Sequence, residues 1–321
     1  MTATGSRPRL SIALPTVSAD ENDHLIARRV LNVAGLLEEA GVDRVLVPDH
    51  IVFGESLDDY GDPSLGGVER GKQPTGPDGI WLEPLTMLAA VAAVTSRIRL
   101  GTAVLQAALR RPVVLAKAAA TLDVLSAGRL DLGVGIGWQQ AEYEAAGLRF
   151  DCRGRLLNHT LSVCIELWRN RIARISDKEL DFEGVHQMPK PIQPGGVPLW
   201  ISGSFHPRVV ERVARYGAGW IPWGSASQDI VGALPLMRNA LAEAGRDPDS
   251  VGVMARLQAI RTRNDNLDPA ATFALVGQMV EAGVTDFRLR VPIPDSRDAM
   301  LDLFSDLVEH FSANAAARRN T

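Results

Sequence analysis

Residues 98–138 read IRLGTAVLQAALRRPVVLAKAAATLDVLSAGRLDLGVGIGW, and this stretch decides the fold. The apolar run 98–104 has the length and β-branched content of a buried strand. Arg111-Pro112 then opens a helical run, 112–126, with proline in the first turn and Gly128 just beyond the last, the asymmetry expected of helix ends. A second apolar run, 130–136, follows at once. Strand, helix and strand joined by short links make one parallel βαβ unit, because parallel strands need a crossover.

The same alternation extends both ways. Before it lie strands at 10–15 and 44–48, with a helix between them whose apolar stripe is Ile26, Val30, Val33, Ala34 and Leu37 and whose stop is Gly41. A helix at 83–94 precedes the quoted unit. After it come helices at 153–168, 207–216, 228–243 and 269–281, strands at 199–202, 220–221, 251–259 and 285–289, and a closing helix with Met300, Leu303, Phe304, Leu307, Val308 and Phe311 on one face. Eight strands alternating with helices predict an α/β fold, a (β/α)8 TIM barrel spanning 1–321 as one domain. Misreading one or two of the weaker strands would leave a doubly wound sheet. Two stretches without apolar periodicity are insertions, at about 53–80 after strand 2 and at 169–197 after strand 4. The first, rich in glycine and proline, reads as a long loop or lid over one face.

Composition removes several classes of function. The chain has 321 residues, 34 Lys+Arg against 38 Asp+Glu, and a net charge of -4, so no polybasic surface points to nucleic acid. Neither a signal peptide nor a membrane-length apolar run is present, and a soluble cytoplasmic protein is expected. Cys152 and Cys164 are too few for a disulfide scaffold, and the six histidines lack metal-ligand spacing, so no metal site is expected.

In a barrel, the loops after the strands converge on the carboxyl face. Strand 2 delivers Asp49 and His50 there, an acid–base pair whose imidazole either donates a proton or is held by local hydrogen bonds. Leu132-Gly-Val-Gly-Ile-Gly-Trp138 places glycine at alternate positions, either to admit a ring or phosphate or to relieve crowding at a strand end. Ser202-Gly-Ser204 precedes a helix and reads either as a phosphate-holding loop or as a serine cap. Arg110 and Arg111 either neutralise an anion or face solvent. Trp81, Trp138, Trp200, Trp220 and Trp223 serve as stacking surfaces or as packing.

The combination of Gly101-Thr-Ala-Val-Leu-Gln106, Arg111-Pro-Val-Val-Leu-Ala-Lys117, the run 120–130, Gly133-Val-Gly-Ile-Gly-Trp138 and Phe150-Asp-Cys-Arg-Gly154 resembles the luciferase-like monooxygenase superfamily, especially the branch that uses the deazaflavin coenzyme F420. The likeness runs from Leu10 to about Trp223 and is most specific over 98–154. It implies a ring lying across the carboxyl face, backed by a non-proline cis peptide at Ala103-Val104, with Gly135, Gly137 and Trp138 at the fourth strand end and phosphate held by Ser202, Gly203 and Ser204. His50, with Asp49, is then the catalytic candidate. The implied activity is hydride transfer between C5 of F420 and a small, largely apolar organic substrate. The alternatives are an FMN-dependent monooxygenase fed by a partner reductase, and a non-catalytic flavin-binding barrel. Specificity is expected from 53–79 and 169–197, and a homodimer from helices near the second and third strands. The glutamate that sugar-phosphate dehydrogenases of this superfamily carry after the fourth-strand glycines is replaced by Trp138. Glu142 stands in for it only if a turn brings it inward, and otherwise reads as a solvated helix carboxylate.

Overall fold

The computed structural model describes residues 7–65, 67 and 71–316. Its centre is a closed barrel of eight parallel strands. They are β1 (Arg9–Ala13), β2 (Arg44–Val47), β3 (Arg99–Thr102), β4 (Leu130–Val134), β5 (Leu199–Gly203), β6 (Gly219–Pro222), β7 (Gly252–Arg256) and β8 (Asp286–Leu289). Neighbours in sequence are neighbours in the barrel, and β8 closes on β1. The expected (β/α)8 fold is therefore the observed one. The helices around it are α1 (Ile26–Ala40), α2 (Pro84–Val94), α3 (Pro112–Leu125), α4 (Gln140–Ala145), α5 (Arg153–Arg169), α6 (Pro207–Tyr216), α7 (Ser225–Gln228), α8 (Ile230–Glu243), α9 (Pro269–Phe273), α10 (Val276–Ala282) and α11 (Arg297–Ala316). Proline opens α2, α3 and α6, and Gly41 stops α1 in the left-handed conformation at φ 90°. The helix expected over 269–281 is two pieces, and the strand expected over 98–104 ends at Thr102, just before the cis peptide Ala103-Val104.

Strand alternation divides the side chains between two cores. Outward residues such as Val45, Val253, Ala255 and Phe287 pack with the helices, whereas Leu46, Trp200, Ile221 and Met254 fill the barrel. The Trp200 indole lies across its floor because β6 and β7 offer glycine: a Cβ at Gly219 would fall 2.2 Å from the ring, and one at Gly252 would fall 2.7 Å from it. The Arg44 guanidinium sits 5.0 Å from the same ring and bridges Asp131 and Asp286, at 2.8 Å each. With the indole bounded on three sides, Gly219→Ala is expected to cost about 1–3 kcal/mol through overpacking. Urea unfolding of the variant measures it.

The two insertions go to different places. The described residues of the 53–79 insertion cross the carboxyl face. A two-residue ladder, Val17–Ser18 with Ile80–Trp81, pins the far end of the segment. Between these ends, Gly54 N–H donates to Gln139 at 3.0 Å, Arg153 donates to Leu65 O at 3.4 Å, and Trp223 Nε1 donates to Gly67 O at 3.3 Å. Residues 169–197 instead hold an antiparallel hairpin, Ala173–Ser176 with Asp181–Val185. Its Glu179 and Asp177 meet Arg155 and His159 of α5, and the loop leading out meets Ala116 and Asp123 of α3 and the carbonyl of Leu130 at the amino end of β4. The hairpin tip therefore lies beside the first turns of α5, at the carboxyl end of the barrel wall, and the segment after it runs down to the amino end of β4. Among the described residues, no helix is long and apolar enough to cross a membrane.

Candidate active site

His50 lies just past the end of β2 and is the centre of the mouth. Its Nδ1 is 3.0 Å from Glu142 Oε2, and the other carboxylate oxygen accepts from the N–H of Ile51 at 2.8 Å. Gln106 Nε2 donates to Glu142 at 2.8 Å and to the carbonyl of Asp49 at 3.2 Å. A carboxylate only accepts, and the two hydrogens of Gln106 Nε2, which also lies 3.3 Å from Nδ1, go to Glu142 and Asp49 O, so Nδ1 carries a hydrogen toward Glu142 and Nε2 has no hydrogen-bond partner among the described residues. Around the imidazole stand Phe53 at 4.5 Å, Trp81 at 4.8 Å and Trp138 at 5.8 Å, ring centre to ring centre. Tyr60 of the lid closes the enclosure, 5.3 Å from Trp138.

Glu142 is thus an inward, buried residue of the site, not a solvated carboxylate. The six-residue α4 places it in the first turn, where Tyr143, itself fully buried, anchors the helix by donating its hydroxyl to Ile136 O at 2.5 Å. Asp49 has a different task from the one expected. Consecutive residues at a strand end point opposite ways, and Asp49 faces the wall, where it accepts from Arg110 at 2.6 and 3.1 Å and from the N–H of Gln106 at 2.8 Å. It anchors Gln106, and the acid that touches His50 is Glu142. Arg110 also pairs with Glu83 and is no free anion site, while Arg111 is exposed at the start of α3.

The glycines of the fourth strand end answer to crowding within the protein. A Cβ at Gly133 would meet Thr102 O at 2.0 Å, one at Gly135 would meet Val104 at 2.7 Å, and Gly137, at φ +72°, would drive into Gln106 at 2.0 Å. The serine-cap alternative for 202–204 falls away, because the cap of α6 is His206, whose Nδ1 accepts from Arg208 N–H at 3.2 Å. Ser202 and Ser204, at the carboxyl end of β5, therefore do not cap α6. Of the five singled-out tryptophans, Trp81 and Trp138 reach His50, Trp223 reaches the lid, and Trp200 and Trp220 are packing residues. Two buried polar atoms near the imidazole, Gln106 Oε1 and Trp138 Nε1, have no hydrogen-bond partner among the described residues. Among the described residues no cluster of metal-ligating side chains occurs.

The sequence pattern of the luciferase-like monooxygenases matches residues 9–274. The chain belongs to this family. It is 34% identical over 207 residues to a phthiodiolone/phenolphthiodiolone dimycocerosates ketoreductase of Mycobacterium tuberculosis, a match covering 63% of this chain and 54% of the ketoreductase. The chain spans little more than half the length of the curated relatives it matches. Among solved structures, an F420-dependent secondary alcohol dehydrogenase superposes with a TM-score of 0.72 at 17% identity, covering 95% of this chain and 99% of that one. A monooxygenase from Streptomyces bottropensis does so with a TM-score of 0.70 at 20% identity, covering 95% and 98%. As a luciferase-like protein, the chain has the fold shared by F420-dependent and flavin-dependent oxidoreductases.

Proposed function

We propose that this luciferase-like protein is an F420-dependent oxidoreductase that moves a hydride between the deazaflavin and an organic substrate. The observation that carries the reading is the His50 Nε2, a single unpartnered imidazole nitrogen inside an aromatic enclosure, with its tautomer fixed from behind by Glu142. Such a site suits chemistry in which the cofactor does the redox work and the protein supplies orientation, dryness and one proton. The ketoreductase likeness supports hydride chemistry over oxygen insertion.

The residues present fit the cofactor. Ala103 and Val104 offer a flat backing, Gly135 lets Val104 lie close against the fourth strand end, and the unpartnered Trp138 Nε1 and Gln106 Oε1 are polar atoms for a heteroatom-rich ring. Ser202, Gly203 and Ser204 then hold phosphate at the carboxyl end of β5 through their own hydroxyl and backbone groups, because Pro207 has no N–H and those of Arg208, Val209 and Val210 are taken by His206. When bound, F420 supplies a two-electron hydride donor or acceptor at C5. His50 holds or accepts the proton at Nε2, Glu142 keeps Nδ1 protonated, and Phe53, Trp81 and Trp138 exclude water under the lid. The expected homodimer belongs on the outer face of α2 and α3, where Val94, Val114 and Leu125 are exposed.

Fluorescence titration of the apoprotein tests the choice of cofactor. F420 is expected to bind at about 1 μM or tighter, equivalent to about 8 kcal/mol, with FMN weaker by about tenfold or more. A preference for FMN, with oxygen consumed on addition of reduced FMN, overturns the proposal in favour of a two-component monooxygenase.

A further inference from the structure

Deep in the barrel every buried charge has a partner, as Arg44 shows with its two aspartates. At the mouth Arg288 departs from this rule. Arg256 ends β7 and Arg288 lies opposite it on β8 in parallel register. Both stand on the inward-facing register, because Met254, two residues before Arg256, belongs to the barrel interior, and Asp286, two before Arg288, reaches Arg44 there; Arg256 is exposed at the rim and Arg288 is half-buried below it. Neighbouring strands lie about 5 Å apart, so the two cations stand side by side. Among the described residues neither forms an ion pair, and Arg288 Nε and Nη2 are buried without a hydrogen bond to any of them. Burial, and then the charge of Arg256, push the Arg288 guanidinium down to about 10, where it is still charged at neutral pH. The Tyr60 ring of the lid lies close enough to feel both arginines and bridges from them to Trp138.

Like charges side by side and a buried guanidinium without acceptors both cost stability, and a fold retains them where a ligand supplies the missing acceptors. We infer that Arg256 and Arg288 form an oxyanion subsite that receives a carboxylate or phosphate of the substrate beneath Tyr60, while the substrate's apolar body lies against the aromatic group around His50. A guanidinium binds either oxyanion through paired N–H donors. The substrate side is favoured because the proposed cofactor phosphate loop is on β5, and β8 lies three strands further around the barrel. The largely apolar substrate expected from sequence thereby gains one anionic group. The inference rests on the reading of this mouth as the substrate site.

The test uses the full-length apoprotein with benzoate, phenyl phosphate and the neutral benzyl alcohol, reading thermal midpoint and tryptophan fluorescence, and repeats the titrations in Arg256→Met and Arg288→Met. Benzoate or phenyl phosphate is expected to raise the midpoint where benzyl alcohol does not, and each substitution is expected to weaken the anion by about tenfold or more while F420 affinity stays within about threefold. Removing the unpaired buried charge is also expected to raise the midpoint of unliganded Arg288→Met above that of the parent. Equal binding of benzyl alcohol and benzoate overturns the subsite. A loss that falls on F420 affinity instead assigns the arginines to the cofactor's own anions and overturns the substrate assignment. Because the probes are read without cofactor or turnover, a protein that binds benzoate but not F420 refutes the cofactor reading alone, and one that binds F420 but neither anion refutes this subsite alone.

Discussion

His50→Ala is expected to lower turnover by about 10²–10⁴-fold, the range for losing a positioned proton-transfer group. The variant should fold, because Glu142 keeps its hydrogen bonds from Ile51 N–H and Gln106 Nε2 and is not left as an isolated buried carboxylate. Cofactor affinity should change little, since Ala103, Val104 and the 202–204 loop are untouched. The measurement is steady-state kcat alongside a cofactor dissociation constant on the same preparation. A turnover number equal to that of the parent in a well-folded variant would remove the histidine from the mechanism.

Arg44→Met is expected to have the largest effect on stability, about 3 kcal/mol, at the lower end of the range for breaking a buried ion pair. The lower end applies because Asp131 retains two bonds from Arg99 at 2.7 Å, and Asp286 retains Arg9 at 3.0 Å. Burial works to raise the Asp131 carboxyl, and the Arg44 and Arg99 guanidiniums outweigh it, holding it below the ordinary carboxylate range. A depressed folded-state pKa stabilises fully above the unfolded value of about 3.9, and that contribution is lost as pH falls through the lower folded value. The difference between parent and variant in urea midpoint should therefore be full at neutral pH and shrink in acid below about pH 4. A midpoint difference that is constant from neutral pH to acid would contradict this assignment of Asp131.

The barrel was legible because its signals are local. Proline and glycine punctuate α2, α3 and α6, and apolar runs of four to five residues recur between them, so element order follows from the chain alone. The Ala103-Val104 cis peptide had no signature in periodicity and came from the family resemblance of 98–154. Glu142 was harder to read, because a six-residue helix has no apolar stripe long enough to say which side faces the protein. Asp49 and His50 were found together, yet their division of labour depends on Arg110 and Gln106, more than 50 residues away. Arg256 and Arg288 did carry a signal. Each follows, at a spacing of two, a residue that faces the barrel interior, but a strand's alternation does not declare which of its faces is inward until the barrel closes.

Hydride transfer from a deazaflavin at the mouth of this barrel, as we propose, is open to a direct test. Reduced F420 carrying deuterium at C5 is mixed with the protein, without oxygen, and with a panel of ketones, enones and imines that includes carboxylate-bearing members. The label is expected at carbon in the product in step with the return of the oxidised deazaflavin absorbance, and His50→Ala is expected to slow both together. Product formed only with reduced FMN and oxygen, and free of the C5 label, would contradict the proposed transfer.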